Sequence, residues 1–281
     1  MSLKEEKIHP TPMFIRPASG WVAINLIELW EYRELLYFLT WRDIKVRYKQ
    51  TVFGVAWAVL QPLSMMLIFT VFFGNLVGVP SDGLPYPIFA FAALLPWQLF
   101  SRALTSASTS LVVNQRLITK VYFPRLLIPM SAVLSSLVDF GISFVLLLAM
   151  IIFYGIAPTP MLALLPLFTL LALMTALGVG FWLSALDVQY RDVRHTLPFL
   201  TQFWLFATPV VYPASLVPDR WSLLYGLNPM TGVVEGFRWA LLGKTGAPDV
   251  MLAVSTIAVL VVFIGGLYYF RRAESTFADV V

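Results

Sequence analysis

The side chains most able to act on something outside the chain sit in Asn114–Pro129, NQRLITKVYFPRLLIP. This stretch carries Arg116, Lys120 and Arg125, holds no acidic residue and lies between two long apolar runs. Leu117, Ile118 and Val121 fall at helical spacing, so its first half reads as a short helix. Pro124 ends that helix, because the residue before a proline is pushed out of the helical region. A short basic helix between two membrane spans is either a plain turn or a handle by which a soluble motor moves its neighbours. A second charged pair is buried in apolar sequence: Arg102 and Asp139 each lie roughly 16–20 Å from the basic ends of their runs, at ~1.5 Å per residue. Charges at that depth are costly unless they face a partner or water, so they are expected to pair or to line one wet cavity.

Catalytic signals are few. His9 and His195 are the two histidines, and neither belongs to a ligand-spaced motif. Asp187, Asp192 and His195 could be taken for a metal cluster, but a solvated loop with Asp–Arg pairs fits DVQYRDVRHT better. Gly243-Lys244-Thr245 ends like a phosphate-binding loop, yet position 238 is Arg where that loop needs glycine, and Gly246 and Pro248 follow. Glu235 and Arg238 read instead as i, i+3 partners on a helix. Gly178 and Gly180 are a fragment of a dinucleotide fingerprint with Leu183 in the wrong place, so helix packing is the better reading. Without cysteine, disulfides and thiolate metal sites are excluded.

The elements that must position these residues are membrane spans. Of the 281 residues, 59% are hydrophobic and 12% charged, against about 25% charged in ordinary globular domains. The apolar residues come in blocks about as long as a bilayer is thick. The expected fold is therefore an all-α integral membrane protein. Residues 1–20 read as a polar cytosolic arm with no secretory signal. Residues 21–50 read as an amphipathic interfacial helix, with Tyr37, Trp41, Ile44 and Tyr48 on one face and Arg42, Lys45 and Lys49 beside it. Six spans follow at about 51–79, 88–113, 126–154, 161–186, 197–211 and 250–270, with the short helix at 114–123. Pro62 should kink the first, where Gly74 and Gly78 form a weak packing pair. The fifth is short for a crossing. Between it and the last span, 212–246 holds two half-length apolar segments that read as a re-entrant helical hairpin lining a cavity near the outer face.

Basic residues fix the expected orientation. Lys4, Lys7, Arg16, Arg33, Arg42, Lys45, Arg47 and Lys49, then Arg116, Lys120, Arg125, Arg191 and Arg194, and finally Arg271 and Arg272 fall on one side, against Arg220, Arg238 and Lys244 on the other. The positive-inside rule places both termini and Asn114–Arg125 in the cytoplasm. The net charge of +4 is thus a topology signal and gives no reason to expect nucleic acid. Trp97, Phe100, Phe203, Trp204 and Phe206 lie in spans, where most aromatics pack or face lipid; some could grip sugar rings in a water-filled path.

An ordered set of motifs resembles one family. Arg47-Tyr48-Lys49-Gln50, Phe53-Gly54-Val55-Ala56-Trp57 and Gln61-Pro62-Leu63 come first, then Leu95-Pro96-Trp97 through Phe100-Ser101. Lys120-Val121-Tyr122-Phe123-Pro124, Asp187-Val188 with Arg191-Asp192, Pro209-Val210 with Tyr212, Asn228-Pro229-Met230, and Phe270-Arg271-Arg272 with Phe277-Ala278-Asp279 follow. Together they are similar to the membrane subunits of ABC transporters that export lipid-linked polysaccharides such as O-antigen, teichoic acid and capsule. The resemblance implies a homodimer in the bacterial inner membrane, docked on a separate pair of cytosolic ATPase subunits that hold ATP and magnesium. This chain itself would bind no cofactor and perform no catalysis. The resemblance further implies that Asn114, Arg116, Leu117, Lys120, Val121, Tyr122 and Phe123 form a coupling helix. Asp187, Arg191, Asp192 and Arg194 would belong to a cytosolic gate and Tyr212–Gly246 to an outer gate, acting on a glycan carried by undecaprenyl diphosphate. Arg42, Lys45, Arg47 and Lys49 are placed to attract the diphosphate; Trp97, Phe100, Arg102, Asp139, Phe203, Trp204, Glu235 and Arg238 are the channel and gate candidates. A drug- or lipid-exporting permease of the same superfamily, or a membrane-embedded glycan-modifying enzyme, are the alternatives. The enzyme would need a carboxylate cluster, and the acids here are isolated.

Overall fold

A computed structural model describes residues 26–49, 54–157, 159–190, 192–243, 250–274 and 277. The arm at 1–20, Arg191, Lys244 and Thr245 lie outside them. The described residues hold helices and connecting segments and no strand. Two short helices, α1 (Leu26–Glu31) and α2 (Arg33–Lys49), precede α3 (Ala56–Phe69). Next come α4 (Tyr86–Val113), α5 (Gln115–Lys120), α6 (Leu127–Phe153), α7 (Leu165–Gln189) and α8 (Val193–Ala207). The chain closes with α9 (Asp219–Gly226), α10 (Pro229–Leu242) and α11 (Val250–Ala273).

Five helical runs are long and apolar enough to cross a bilayer: Ala56–Val77, Tyr86–Val113, Leu127–Phe153, Pro160–Gln189 and Val250–Ala273. Each coincides with a predicted span to within a few residues. The predicted fifth span differs: α8 starts at Val193 and ends at Ala207, a 15-residue helix of about 22 Å, short of a ~30 Å hydrocarbon core. The residues after it leave the helix because Pro209 and Pro213 cannot donate to its ladder.

The central helix is α4. Of its apolar window 78% is buried, against 17% for α11, and it packs on α3, α6, α7 and α10. Lipid tails are as apolar as leucine, so close backbone approach rather than water exclusion holds such helices together. The contacts have that character. A Cβ on Gly180 would come within 2.8 Å of Ala107, and one on Gly178 within 2.7 Å of the Phe263 backbone. These glycines are packing residues, as expected. The remaining apolar faces of α3, α6 and α11, including Leu67, Ile68, Ile152, Phe153, Val261 and Ile264, are exposed in the isolated chain and suit lipid or protein contact.

Gly74 and Gly78 do not act as a pair. The first span continues beyond Phe69 as a π-helix, Thr70–Val77. Within it Gly74 receives the ring of Tyr86, which a Cβ would meet at 2.8 Å. Gly78 instead ends the helix with φ +71°, with nothing within 4 Å, a conformation that costs glycine little.

Candidate functional site

Arg102 and Asp139 meet. Arg102 Nη1 lies 3.2 Å from Asp139 Oδ2, joining α4 to α6. No local pattern pointed to the third and fourth members. Arg47 Nη1 reaches the same oxygen at 2.7 Å and Tyr48 Oη donates to Oδ1. Arg47 also donates to Ser135 Oγ at 3.2 Å, and Arg102 to Gln61 Oε1 at 2.7 Å. One carboxylate, 8% exposed, therefore holds two guanidinium groups, leaving a net positive charge. Burial, aided by the hydrogen bond to Asp139, pushes the Tyr48 phenol up to about 12, so it stays a donor at neutral pH. A cavity of about 430 Å³ opens beside the cluster, bordered by Arg47, Gln61, Ser101, Arg102, Thr105, Ser106 and Asp139. Such a place can take an anionic group without placing a bare cation in lipid.

A second cavity, about 580 Å³, adjoins it along Gln61, Ser101 and Arg102 and runs between α3, α4 and α8. Its wall includes Trp57 and Trp97 together with Gln98, Thr201, Gln202 and Ser64. Aromatic faces beside amides and hydroxyls match the two surfaces of a sugar, C–H-rich faces and a hydroxyl rim. The amides carry no sequence motif; their only signal is a polar residue on a membrane helix. Of the five span aromatics, Trp97 and Phe206 line this space. Phe100 is fully buried, 4.9 Å edge-on to Trp204 and 5.3 Å from Trp97. Trp204 donates through Nε1 to Asn228 Oδ1 at 2.8 Å, and so ties α8 to the start of α10. Phe203 is 68% exposed on the open side of α8. Phe100 and Trp204 are thus packing residues within this chain, because adjacent turns of α4 and α8 press them together.

The basic stretch forms α5, with Gln115, Arg116, Thr119 and Lys120 outward, followed by exposed Val121 and Tyr122. Ile118 and Phe123 point the other way, 5% and 4% exposed, into a cluster with Leu39 of α2, Phe181 of α7 and Phe270 of α11; half-buried Leu117 packs on its edge. Asn114 precedes the helix, and its Oδ1 accepts from Arg42 Nη2 at 2.8 Å. Arg42 is also paired with Asp43 at 2.7 Å. Lys45 sits 5.4 Å from the Trp41 ring centroid, and Lys49 is exposed. The four basic residues expected to attract the diphosphate therefore divide: Arg42 and Arg47 bond within the protein, Lys45 and Lys49 face outward. The predicted aromatic face divides as well. Tyr37 and Trp41 are exposed, Ile44 is half-buried and Tyr48 turns inward, while Leu39 supplies the contact with the core. At the end of α7, Asp187 is buried and Arg194 Nε contacts both its oxygens at 3.0 Å, an ion pair rather than a metal ligand set. Asp192 begins α8, its carbonyl accepting from His195 N and Thr196 N.

At the opposite end, neither α9 nor α10 is long enough to cross. Glu235 and Arg238 pair at 2.9 Å on one face of α10. Both are buried. Arg238 is 0% exposed and donates to the carbonyls of Pro209 at 2.6 Å, Val210 at 2.7 Å and Tyr212 at 3.2 Å. Its guanidinium also lies 3.7 Å from the Phe89 ring centroid. It satisfies the backbone left unpaired where α8 stops, which the membrane interior demands.

The family model for the ABC-2 type transporter matches residues 34–242. An O-antigen export system permease protein from Myxococcus xanthus is 32% identical over 259 residues, covering 90% of this chain and 98% of that protein. One of the same name from Klebsiella pneumoniae is 26% identical over 250 residues, covering 88% and 95%. A polysialic acid transport protein from Escherichia coli is 25% identical over 237 residues, covering 83% and 91%. With helices of membrane-crossing length, a basic outward-facing helix between two of them, and a match over most of its length, this chain belongs to the ABC-2 type transporter family.

Proposed function

We propose that the chain is the channel-forming permease subunit of an ATP-driven exporter of a lipid-linked polysaccharide, with a glycan on undecaprenyl diphosphate as the substrate class. The observation that carries this is α5: a basic helix anchored by Ile118 and Phe123 and open to a partner along Arg116, Thr119, Lys120 and Tyr122. Relatives named for O-antigen export and polysialic acid transport over nearly their whole length supply the substrate class. In this reading two copies enclose the path, each docked through Asn114–Phe123 on a cytosolic ATPase that holds ATP and magnesium. Both termini are cytoplasmic, and α8 with the α9–α10 hairpin makes the remaining crossing. The 580 Å³ cavity is one protomer's share of the glycan path. Arg47 and Arg102, with charge to spare beyond Asp139, receive the diphosphate, and the Asp187–Arg194 pair stiffens the gate at the ATPase side.

The purified chain alone should not hydrolyse ATP, whereas the co-purified complex should. A thiol-reactive label on Thr119→Cys should enter from the cytoplasmic side; labelling from outside would end the proposal. Tyr122→Ala removes an exposed aromatic from the docking edge. Interface aromatics of this kind carry roughly 1–2 kcal/mol, so ATPase affinity in a pull-down titration should drop about tenfold.

Lys45 and Lys49 lie on the outward side of α2, and in this reading they draw in anionic headgroups, for which a basic side chain near the surface contributes about 1 kcal/mol. Joint Lys45→Gln and Lys49→Gln should lower export several-fold in anionic liposomes and little in zwitterionic ones. Equal export in both would remove these residues from substrate entry. Adding Arg42→Gln should deepen the defect by a separate route, since it also frees Asn114.

A further inference from the structure

The far end of the molecule must learn what the ATPase does to α5, and α4 and α6 are the obvious rods, being joined to α5 directly. The described residues offer another. The connection after α5 is fastened to the end of α11: the Arg125 backbone N donates to Glu274 Oε1 at 3.1 Å, and the Arg125 guanidinium donates to the Glu274 carbonyl. Glu274 is held in turn by Arg271 Nη1 at 2.7 Å. Beyond it, Phe277 is fully buried against Phe270, 5.2 Å between ring centres, in the cluster that takes Ile118 and Phe123. The handle's buried anchors, Ile118 and Phe123, thus share one cluster with Phe270 of the last helix and with Phe277 beyond it.

The other end of α11 is fastened to the hairpin. Ser255 is 2% exposed. Its hydroxyl donates to the Gly226 carbonyl at 2.8 Å and accepts from the Gly232 backbone N at 3.2 Å. Those are the last residue of α9 and the first turn of α10, and α11 packs on both helices. A Cβ on Gly232 would meet Ser255 Cβ at 2.7 Å, so the contact has no slack. Between its two fixed ends α11 packs closely on α7: the backbones of Gly178 and Gly266 are in contact, the Trp182 ring lies over Gly265, and Phe181 packs on Phe263 and Phe270. That packing holds α11 straight along its length. A stiff helix, bonded at both ends, carries displacement.

We propose that α11 is a second transmission rod, carrying motion of α5 to the α9–α10 hairpin, with Glu274 and Ser255 as the positioning residues at its two ends. This rests on the exporter reading above. It gives the hairpin an input that does not pass through α4, whose Tyr86 hydroxyl donates to the Val211 carbonyl at 2.7 Å, beside the carbonyls held by Arg238 of α10.

The chain has no cysteine, so single labels are free of background. An environment-sensitive fluorophore is placed on Thr119→Cys in α5 or on Trp221→Cys in α9, both exposed, in the full chain assembled with a cysteine-free ATPase subunit. Mg-ATP with vanadate should shift both signals. With Glu274→Ala the Thr119 signal should persist while the Trp221 shift falls at least about fivefold, the lower bound of ordinary coupling. Ser255→Ala, which cuts the other end, should do the same. Glu274→Gln keeps an acceptor for the Arg125 amide and should retain part of the shift, which a general loss of folding would not allow. Full Trp221 responses in both Glu274→Ala and Ser255→Ala, with Thr119 still responding, would overturn the rod and leave the exporter reading standing. No response at Thr119 in the unsubstituted chain would overturn that reading, and the rod with it.

Discussion

Arg238→Met is expected to cost about 3–5 kcal/mol of stability, the usual result of removing one partner from a buried ion pair. The carbonyls of Phe89, Pro209, Val210 and Tyr212 and one carboxylate lose their donor together. Pro209, Val210 and Tyr212 lie where the helix has been broken by proline, and a fully buried site gives water no ready way to replace the guanidinium. Methionine fills most of the volume, so a cavity is not the cause. The check is thermal unfolding of the detergent-solubilised chain followed by size exclusion, beside Glu235→Gln and the double substitution. Glu235→Gln alone should cost less, because it removes the charge and keeps an acceptor. The double variant should be more stable than the sum of its parts, since it never buries a lone carboxylate. A midpoint for Arg238→Met within error of the unsubstituted chain would show that the connection after α8 does not depend on this residue.

The second large effect is expected at Asp139. Asp139→Asn leaves Arg47 and Arg102 facing each other across the cavity edge with no counter-ion, at a cost of about 3 kcal/mol. Arg102→Gln alone should be mild, because Arg47 and Tyr48 still bond the carboxylate. Joining the two should recover much of the loss, giving a coupling above ~1 kcal/mol where independent sites add to within about 0.5. Strict additivity would mean that the two residues do not interact in the membrane. Export separates a structural pair from a binding one. If the surplus guanidinium charge receives the diphosphate, Arg102→Gln should lower export several-fold in a chain of near-normal stability. Arg102→Lys should restore only part of it, since an ammonium lacks the planar fork that matches phosphate oxygens.

Much of the architecture was legible beforehand for one reason. A bilayer sets a fixed length and forbids unpaired backbone, so apolar runs of the right length read as spans with little ambiguity. Span lengths placed Arg102 and Asp139 at a common depth, and depth suffices to predict that two opposite charges meet. The i, i+3 spacing likewise predicted the Glu235–Arg238 pair. Helical spacing located α5 and the proline that ends it.

Facing could not be read in the same way. Arg42 and Arg47 sit on one basic helix, yet Arg42 turns to Asn114 and Arg47 to Asp139, because α2 is rotated to bury Leu39 against the core. Aromatics in spans look alike in sequence, yet Trp97 borders a cavity, Phe100 is enclosed and Phe203 is open. Arg238 read as a gate residue because a charge in an apolar helix invites a functional reading; the folded chain makes it the partner of a broken backbone.

The sequence by itself determined the class of protein, the positions of the long spans, the basic helix between two of them and the depth of each intramembrane charge. These follow from length, periodicity and charge, which are properties of a segment alone. Tertiary structure decided which carboxylate serves which arginine, which aromatics line space and how the end of the chain reaches back to Arg125. Those are contacts between segments far apart in the chain, set by how each helix is turned about its own axis, and no local pattern carries that angle.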